Sequence, residues 1–152
     1  MTRRRVKWVR QIADDDCGAA ALAMCCKVSH AEALAAFGQF GEPIVGEGAS
    51  NGDVIVASAM LGVYLKPHFH QGAKQMREIA EGVDRAVLCI RWERGTKSYK
   101  ESPGGHFVYI DRGLVYDPSS YEHWKSHHGT GRTLSTYFRR RPGRVHTVME
   151  VV

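Results

Sequence analysis

The 152-residue chain has no apolar run long enough to span a bilayer, and no apolar segment follows the basic residues at its amino terminus. We therefore expect neither a membrane anchor nor a signal peptide. The sequence also lacks CxxC spacing among its four cysteines, Cys17, Cys25, Cys26 and Cys89. Four cysteines without a regular spacing do not form the framework of a disulfide-rich protein. They indicate a reducing compartment, so we expect a cytoplasmic protein.

A nucleic-acid-binding motif is absent too, although the net charge is +5. Arginines cluster at residues 3–5 and 139–141, but no aromatic side chains are interleaved with them. Solvated termini and loops explain the clusters, and we do not expect a nucleic-acid partner. With 43% hydrophobic and 24% charged residues and no internal repeat, we expect residues 1–152 to form one soluble domain of unpredicted oligomeric state.

Helical signals fill the first half of the chain. A run of good helix formers predicts a helix from about Cys17 to Lys27, and the three aspartates before it are predicted to supply its N-cap. Capping boxes at Ser29/Glu32 and Ser50/Asp53 predict two more helices that end at Gly38 and Gly62, with a glycine-rich loop at 39–49 between them. Residues 6–11 and 63–67 are predicted to be extended, and 73–81 to be an amphipathic helix.

The second half of the chain has the composition of strands. β-Branched and aromatic residues dominate residues 86–92, 106–111, 114–116 and 145–152. A turn at residues 111–113 predicts a hairpin. Helices followed by antiparallel strands indicate an α+β fold. The polar stretch at 93–105 is predicted to be either a gate over a cleft or a flexible loop.

Cys17 is the first candidate for chemistry. It is placed in the first turn of a helix, where unpaired N–H groups and the helix dipole favour a thiolate, the nucleophilic form of cysteine. Gln11, six residues upstream, can direct its amide to the same point. An amide donor together with the nucleophile's own N–H is a recurring way to hold an oxyanion. A small core residue is the alternative interpretation of Cys17.

His106 and Asp117 form the second candidate group. Gly104 and Gly105 precede His106 and leave its ring accessible, while Asp117 ends the next strand before Pro118. A tight hairpin brings both to one end of a two-stranded ribbon, where a carboxylate can orient a histidine. Asp111 is the nearest competitor, but alternation puts it on the opposite side of its strand from His106.

Several other groups have structural explanations. Cys25, Cys26 and Cys89 are predicted to be mainly core residues, and Trp92 and Trp124 to be packing residues. His123 and His127 are four residues apart, with His128 adjacent, a spacing that could suit zinc on one helical face. The HExxH pattern and an obvious third ligand are missing, so a solvated polar stretch is favoured over zinc.

Taken together, the order of these motifs resembles the C39-type peptidases, papain-like cysteine peptidases known as leader-removing domains of bacteriocin exporters. The resemblance spans roughly residues 6–120 and is carried by Gln11, by the run from Asp16 to Ala19, by Leu22 to Met24, by His106 to Val108, and by Asp117 with Pro118. Two departures are Ala19 and Ala21, where the family commonly has Pro and a second Cys. The tail after residue 120 has no assigned counterpart.

The resemblance implies a helical half carrying the cysteine, packed on an antiparallel sheet carrying the histidine and the aspartate. It implies Cys17 as nucleophile, His106 as base and acid, Asp117 as orienting residue, and Gln11 with the Cys17 N–H as oxyanion donors. Neighbouring positions are candidates to line a substrate cleft: Asp16, Gly18, Gly104 and Gly105. The reaction implied is hydrolysis of a peptide or isopeptide bond in a peptide or protein substrate, without a metal or organic cofactor. The alternatives are a related acyltransferase or amidase, and a catalytically silent binding module.

Overall fold

The computed structural model describes residues 6–12, 16–38, 49–69, 71–119 and 131–152. The helices are α1 (Cys17–Cys26), α2 (His30–Gly38), α3 (Asn51–Met60), α4 (Ala73–Gly82), α5 (Lys97–Glu101) and α6 (Leu134–Arg140). The strands are β1 (Leu65–His68), β2 (Arg85–Trp92), β3 (His106–Asp111), β4 (Leu114–Tyr116) and β5 (Gly143–Val151).

The strands form one antiparallel sheet of five in the order β1-β5-β2-β3-β4. The predicted hairpin joins β3 to β4, with Asp111 opposite Leu114. Its two turn residues, Arg112 and Gly113, have φ of 49° and 80°, as a type I′ turn requires. The last strand in sequence, β5, lies inside the sheet between β1 and β2.

Alternation along the strands divides the buried side chains between two faces of the sheet. On one face Val87, Cys89, Phe107 and Tyr109 pack with α1, α2 and α3. On the other face Leu88, Ile90, Val108 and Ile110 pack with α4 and α6. This arrangement confirms the predicted α+β fold, in which a helical first half covers one side of a later antiparallel sheet.

The predicted elements match the structure closely where local signals were strong. In both capping boxes the backbone N–H of the acid donates to the serine hydroxyl: Glu32 to Ser29 at 3.1 Å and Asp53 to Ser50 at 3.1 Å. Strands 106–111 and 114–116 have the predicted bounds, and 86–92 and 145–152 are shifted by one or two residues.

Residues 6–11, predicted to be extended, belong to no strand. Two other parts of the chain contain helices that were not expected. The stretch 93–105 is not a simple loop, because it contains α5, whose N-cap Thr96 accepts a hydrogen bond from the Tyr99 N–H. The tail contains α6, which the sequence analysis did not predict. The loop at 39–48 and the stretch containing His123, Trp124, His127 and His128 lie outside the described residues.

In the described part of the chain, no single helix is long and apolar enough to cross a membrane, and α1 and α2 meet that criterion only as a pair bent by 115°.

Candidate active site

Cys17 is the first residue of α1, and the small residue after it lets this helix approach the sheet. Gly18 is buried, and a Cβ at this position would lie 3.3 Å from the ring of Phe107 in β3 and 3.3 Å from Ala49 Cβ. The buried run from Gly18 to Cys25 packs on the same face of the sheet. The composition that predicted a helix therefore also brings its first turn against β3.

His106 is the first residue of β3, and the glycine before it has a conformation that other residues rarely adopt. Gly105 has φ of 103°, and a Cβ there would lie 2.7 Å from the Ile90 carbonyl oxygen. Ile90 is also the residue that pairs with His106 across the sheet. Gly105 thus lets the chain pass close to β2 and enter β3 with the histidine in place.

The structure brings His106, Asp117 and Cys17 together. His106 Nε2 lies 2.6 Å from Asp117 Oδ1, and both side chains are buried. Cys17 is close enough to His106 that its charge and hydrogen bonding raise the pKa of the ring. Since Nε2 faces the carboxylate, Nδ1 is the ring nitrogen left for the sulfur. Asp111 instead accepts from the Tyr109 hydroxyl at 2.8 Å and pairs with Arg112, as alternation along the strand predicted.

The electrostatics of this group favour a charged histidine. Burial alone would lower the pKa of His106, but the charges of Asp117 and Cys17 and the hydrogen bonds to both raise it to about 9. Burial would raise the pKa of Asp117, yet the charge and hydrogen bond of His106, the charge of Arg141 and the Ser119 N–H hold it well below its usual range. At neutral pH the pair is therefore imidazolium and carboxylate.

Asp117 has further partners that the sequence analysis missed. Its Oδ2 accepts from the Tyr137 hydroxyl at 2.7 Å and from Arg141 Nη1 at 2.5 Å, and its Oδ1 accepts from the Ser119 N–H at 2.7 Å. Burial and the charge of Asp117 raise the pKa of Tyr137, so its hydroxyl stays protonated as a donor.

Arg141 connects the carboxylate to the surrounding elements. Its Nε donates to Ser98 Oγ of α5 at 3.2 Å, and its guanidinium lies 4.3 Å over the ring of Trp92. Trp92 in turn stacks on His106 with ring centroids 5.7 Å apart, which agrees with its predicted packing role. The interpretation of 139–141 as a solvated cluster is wrong for Arg141, which is 6% exposed. The sequence did contain one signal for α6, the helical i, i+3, i+4 spacing of the apolar residues Leu134, Tyr137 and Phe138.

The amino-terminal segment lies along the end of β4. Trp8 Nε1 donates to the Asp117 carbonyl at 2.7 Å, and the Gln11 N–H donates to the Pro118 carbonyl at 2.8 Å. Gln11 is half-buried. The segment that carries the predicted oxyanion donor is thereby fixed to the residues that follow Asp117 in sequence.

Comparison with solved structures supports the topology described above. The chain aligns with a double glycine motif protease from an AMS/PCAT transporter, crystallised in complex with the leader peptide, at TM-score 0.59 and 18% identity over 99% of this chain and 95% of that one. It also aligns with the peptidase domain of Streptococcus ComA, a bifunctional ABC transporter involved in a quorum sensing pathway, at TM-score 0.59 and 15% identity over 97% and 98% of the two chains.

The chain has the papain-like C39 peptidase fold. At these identities the likeness concerns the fold. No family model matches the sequence, and no curated protein matches it.

Within this C39 fold, the candidate cleft residues have different environments. Gly104 is exposed, and its carbonyl accepts from Arg91 Nη1 at 2.5 Å. Gly18 packs against Phe107, and Gly105 has a positive φ that residues with a side chain rarely adopt. Asp16 is 5% exposed.

Asp16 instead joins three segments of the chain. Its carboxylate accepts from the Ile12 N–H at 3.1 Å and 3.2 Å, and it lies 3.0 Å from His30 Nε2. The prediction that an aspartate side chain caps α1 is wrong for Asp16, which occupies the N-cap position without a side-chain capping bond. Its carboxylate therefore connects Ile12 to the start of α1 and to the first residue of α2.

The remaining cysteines are not part of the site. All four cysteines are free, as expected from their spacing. Cys25 and Cys89 are buried as predicted, and burial raises the pKa of Cys89 to about 11. Cys26 is half-buried, with its sulfur 3.8 Å from Ser58 Oγ. In the described segments no three His, Cys, Asp or Glu side chains are grouped as metal ligands would be.

Proposed function

We propose that the protein is a cysteine peptidase that hydrolyses a peptide or isopeptide bond through Cys17, His106 and Asp117. The observation that carries this proposal is the buried His106–Asp117 pair at 2.6 Å, with Cys17 close enough to raise the pKa of the His106 ring. This arrangement stands on a fold shared with two peptidases, one of them in complex with a leader peptide.

In the proposed reaction the Cys17 sulfur attacks the carbonyl carbon, and a new C–S bond forms as the carbonyl π electrons move to oxygen. The tetrahedral intermediate collapses to a thioester when the C–N bond breaks, and the His106 imidazolium supplies the proton that the leaving amine needs. Water then attacks the thioester, with neutral His106 taking its proton. The acid product leaves and Cys17 and His106 return to their starting state.

The developing oxyanion needs donors close to Cys17. The N–H groups in the first turn of a helix have no acceptor within the helix, so the Cys17 N–H is suited to this task. The Gln11 amide is the proposed second donor, and its segment is anchored by the Pro118 carbonyl on one side and by Asp16 on the other. The steps above use groups of the protein and water.

The role of Asp117 in this proposal is to hold His106 in one orientation and to stabilise its positive charge. Tyr137 and Arg141 occupy its second oxygen, so the carboxylate cannot rotate without losing hydrogen bonds. We assign Tyr137 and Arg141 as positioning residues, because they act on His106 through Asp117.

The first test is the rate at which iodoacetamide alkylates Cys17 at about pH 6, resolved by peptide mass spectrometry, with glutathione in the same mixture as a reference thiol. We expect Cys17 to react faster than glutathione, and His106→Ala to abolish the difference. Cleavage of a random peptide library, present in the wild type and lost in Cys17→Ser, completes the test. A Cys17 that reacts at the same rate with and without His106 would rule out the proposed pair.

A further inference from the structure

A cleft of about 600 Å³ opens at the end of the sheet beside His106, and arginines line much of it. Arg91 comes from the end of β2, Arg94 from the turn after it, and Arg144 from the start of β5. Trp92 also lines this arginine cleft, and its ring stacks on His106. The cleft and the proposed catalytic histidine therefore share Trp92 as a neighbour.

The placement of these positive charges is electrostatically unfavourable when no ligand is bound. Arg91 and Arg144 are directly opposite each other in the β2–β5 register, where like charges destabilise a sheet. Glu93 also lines the cleft, so three arginines, Arg91, Arg94 and Arg144, face one carboxylate. Across the residues that the structure describes, neither Arg94 nor Arg144 forms an ion pair with an acid. An anionic ligand would offset this repulsion.

The arginine cleft is connected to the segment that carries His106. Arg91 follows Ile90, the cross-strand partner of His106, and its guanidinium donates to the carbonyl of Gly104, two residues before His106. An extended peptide advances about 3.3 Å per residue, so a side chain a few residues from the attacked carbonyl would arrive at the cleft. Guanidinium groups bind carboxylates with paired, directional hydrogen bonds.

We propose that the arginine cleft binds an acidic side chain of the peptide substrate, an aspartate or glutamate within a few residues of the cleaved bond. This inference rests on the proposed peptidase function and names the substrate class of the same site. It assigns the cleft to peptide recognition, whereas a nucleic-acid phosphate is the competing anionic ligand.

The test uses a short-peptide library in which one position at a time is fixed as Glu or as Gln, two residues that differ in charge but hardly in size. Binding to the full chain carrying Cys17→Ser is measured by fluorescence anisotropy, and cleavage by the wild type is measured by mass spectrometry. We expect Glu to be preferred over Gln by about fivefold or more at one position, and Arg144→Gln or Arg94→Gln to remove most of that preference. Arg144→Glu leaves two arginines facing two carboxylates and should remove the Glu preference entirely.

The matched control is Arg112→Gln, which removes the same charge from the β3–β4 turn, away from the cleft. Arg94, Arg112 and Arg144 are all exposed, so these variants should fold normally. The Glu preference should survive in the control.

The outcomes separate this inference from the proposed function. Cleavage that depends on Cys17 but shows no Glu preference would overturn the cleft assignment and leave the peptidase intact. Glu-dependent binding that Arg144→Gln removes, without any cleavage, would support the cleft and contradict the peptidase. Binding of a double-stranded oligonucleotide that Arg144→Gln abolishes, without discrimination between Glu and Gln peptides, would assign the cleft to nucleic acid and overturn our proposal.

Discussion

Asp117 is the residue on which most contacts of the candidate site converge. Each of its oxygens accepts two hydrogen bonds. Oδ1 accepts from His106 and the Ser119 N–H, and Oδ2 accepts from Tyr137 and Arg141. A buried carboxylate with this many donors keeps its charge and its orientation. The ring of His106 is consequently held on one side by a fixed anion and on its face by Trp92.

Asp117→Asn tests this convergence. An amide in place of the carboxylate presents a donor toward groups that are themselves donors, and it leaves the Arg141 charge buried without its counter-ion. We expect a loss of about 3 kcal/mol in the free energy of unfolding, measured by urea denaturation at about pH 7. Asp111→Asn is the control, since that half-buried acid has an exposed arginine as its ionic partner, and it should lose about 1 kcal/mol or less. Equal losses in the two variants would contradict the central role of Asp117.

Cys17→Ser tests the contact between the sulfur and the histidine. Both the charge and the hydrogen bond of Cys17 raise the pKa of His106, so their replacement by a neutral hydroxyl should lower that pKa from about 9, by on the order of one unit. The imidazole signals in an NMR titration report it directly. Cys26→Ser, at the other end of α1, should leave the titration unchanged, and an unshifted pKa in Cys17→Ser would place the sulfur out of contact with the ring.

At the scale of elements, the sequence predicted the helices and strands whose signals lie within a few neighbouring residues. The Ser29/Glu32 and Ser50/Asp53 boxes involve residues three positions apart, and both form as predicted. In contrast, α6 has only seven residues, from Leu134 to Arg140, and a single short apolar stripe as its sequence signal. Its role depends on Arg141 reaching Asp117, 24 residues earlier in the chain, and no local pattern encodes that contact. For the same reason the sequence analysis did not predict the arginine cleft, because the cleft forms only when β5 pairs with β2.

The junction between α5 and β3 offers a matched pair of variants. Gly105 has φ of 103° and would place a Cβ 2.7 Å from the Ile90 carbonyl, whereas Gly104 has open space around it. Gly105→Ala should cost about 2 kcal/mol or more of stability and reduce Cys17 alkylation, because His106 follows directly. Gly104→Ala should change stability by about 0.5 kcal/mol or less. Thermal denaturation with the iodoacetamide assay measures both, and similar behaviour of the two variants would show that the junction tolerates a side chain.

At the scale of the whole molecule, the site is completed by the end of the chain. β5 is an interior strand of the sheet, and the residues just before it supply Tyr137 and Arg141 to Asp117. The resemblance in sequence reached only to about residue 120, so it could not include these contacts. A chain that ends before α6 should therefore lose the sheet as well as the site, which circular dichroism of a chain ending at Thr130 would report.

The pH dependence of stability is the broadest consequence of the buried ion pair. The pKa of His106 is about 9 in the folded chain and about 6.5 when exposed, so the folded state binds more protons between these values. This stabilisation is complete below about pH 6.5 and is lost as the pH rises through 9. Asp117, whose pKa is lowered, contributes above about pH 4 and loses its contribution in stronger acid.

Urea denaturation from about pH 6 to pH 9.5 should therefore show a falling free energy of unfolding, with a contribution from His106 on the order of 2 kcal/mol. Cys25 and Cys89 have raised pKa values and act in the same direction, so the slope of the wild type alone does not isolate the histidine. The informative quantity is the difference between the wild type and His106→Gln, which retains both cysteines. That difference should shrink steadily between pH 6.5 and pH 9, because in this range the unfolded histidine has lost its proton while the folded one retains it, and the glutamine does not titrate. Two parallel curves would mean that His106 is neutral in the folded protein, and the proposed acid for the leaving amine would be lost with it.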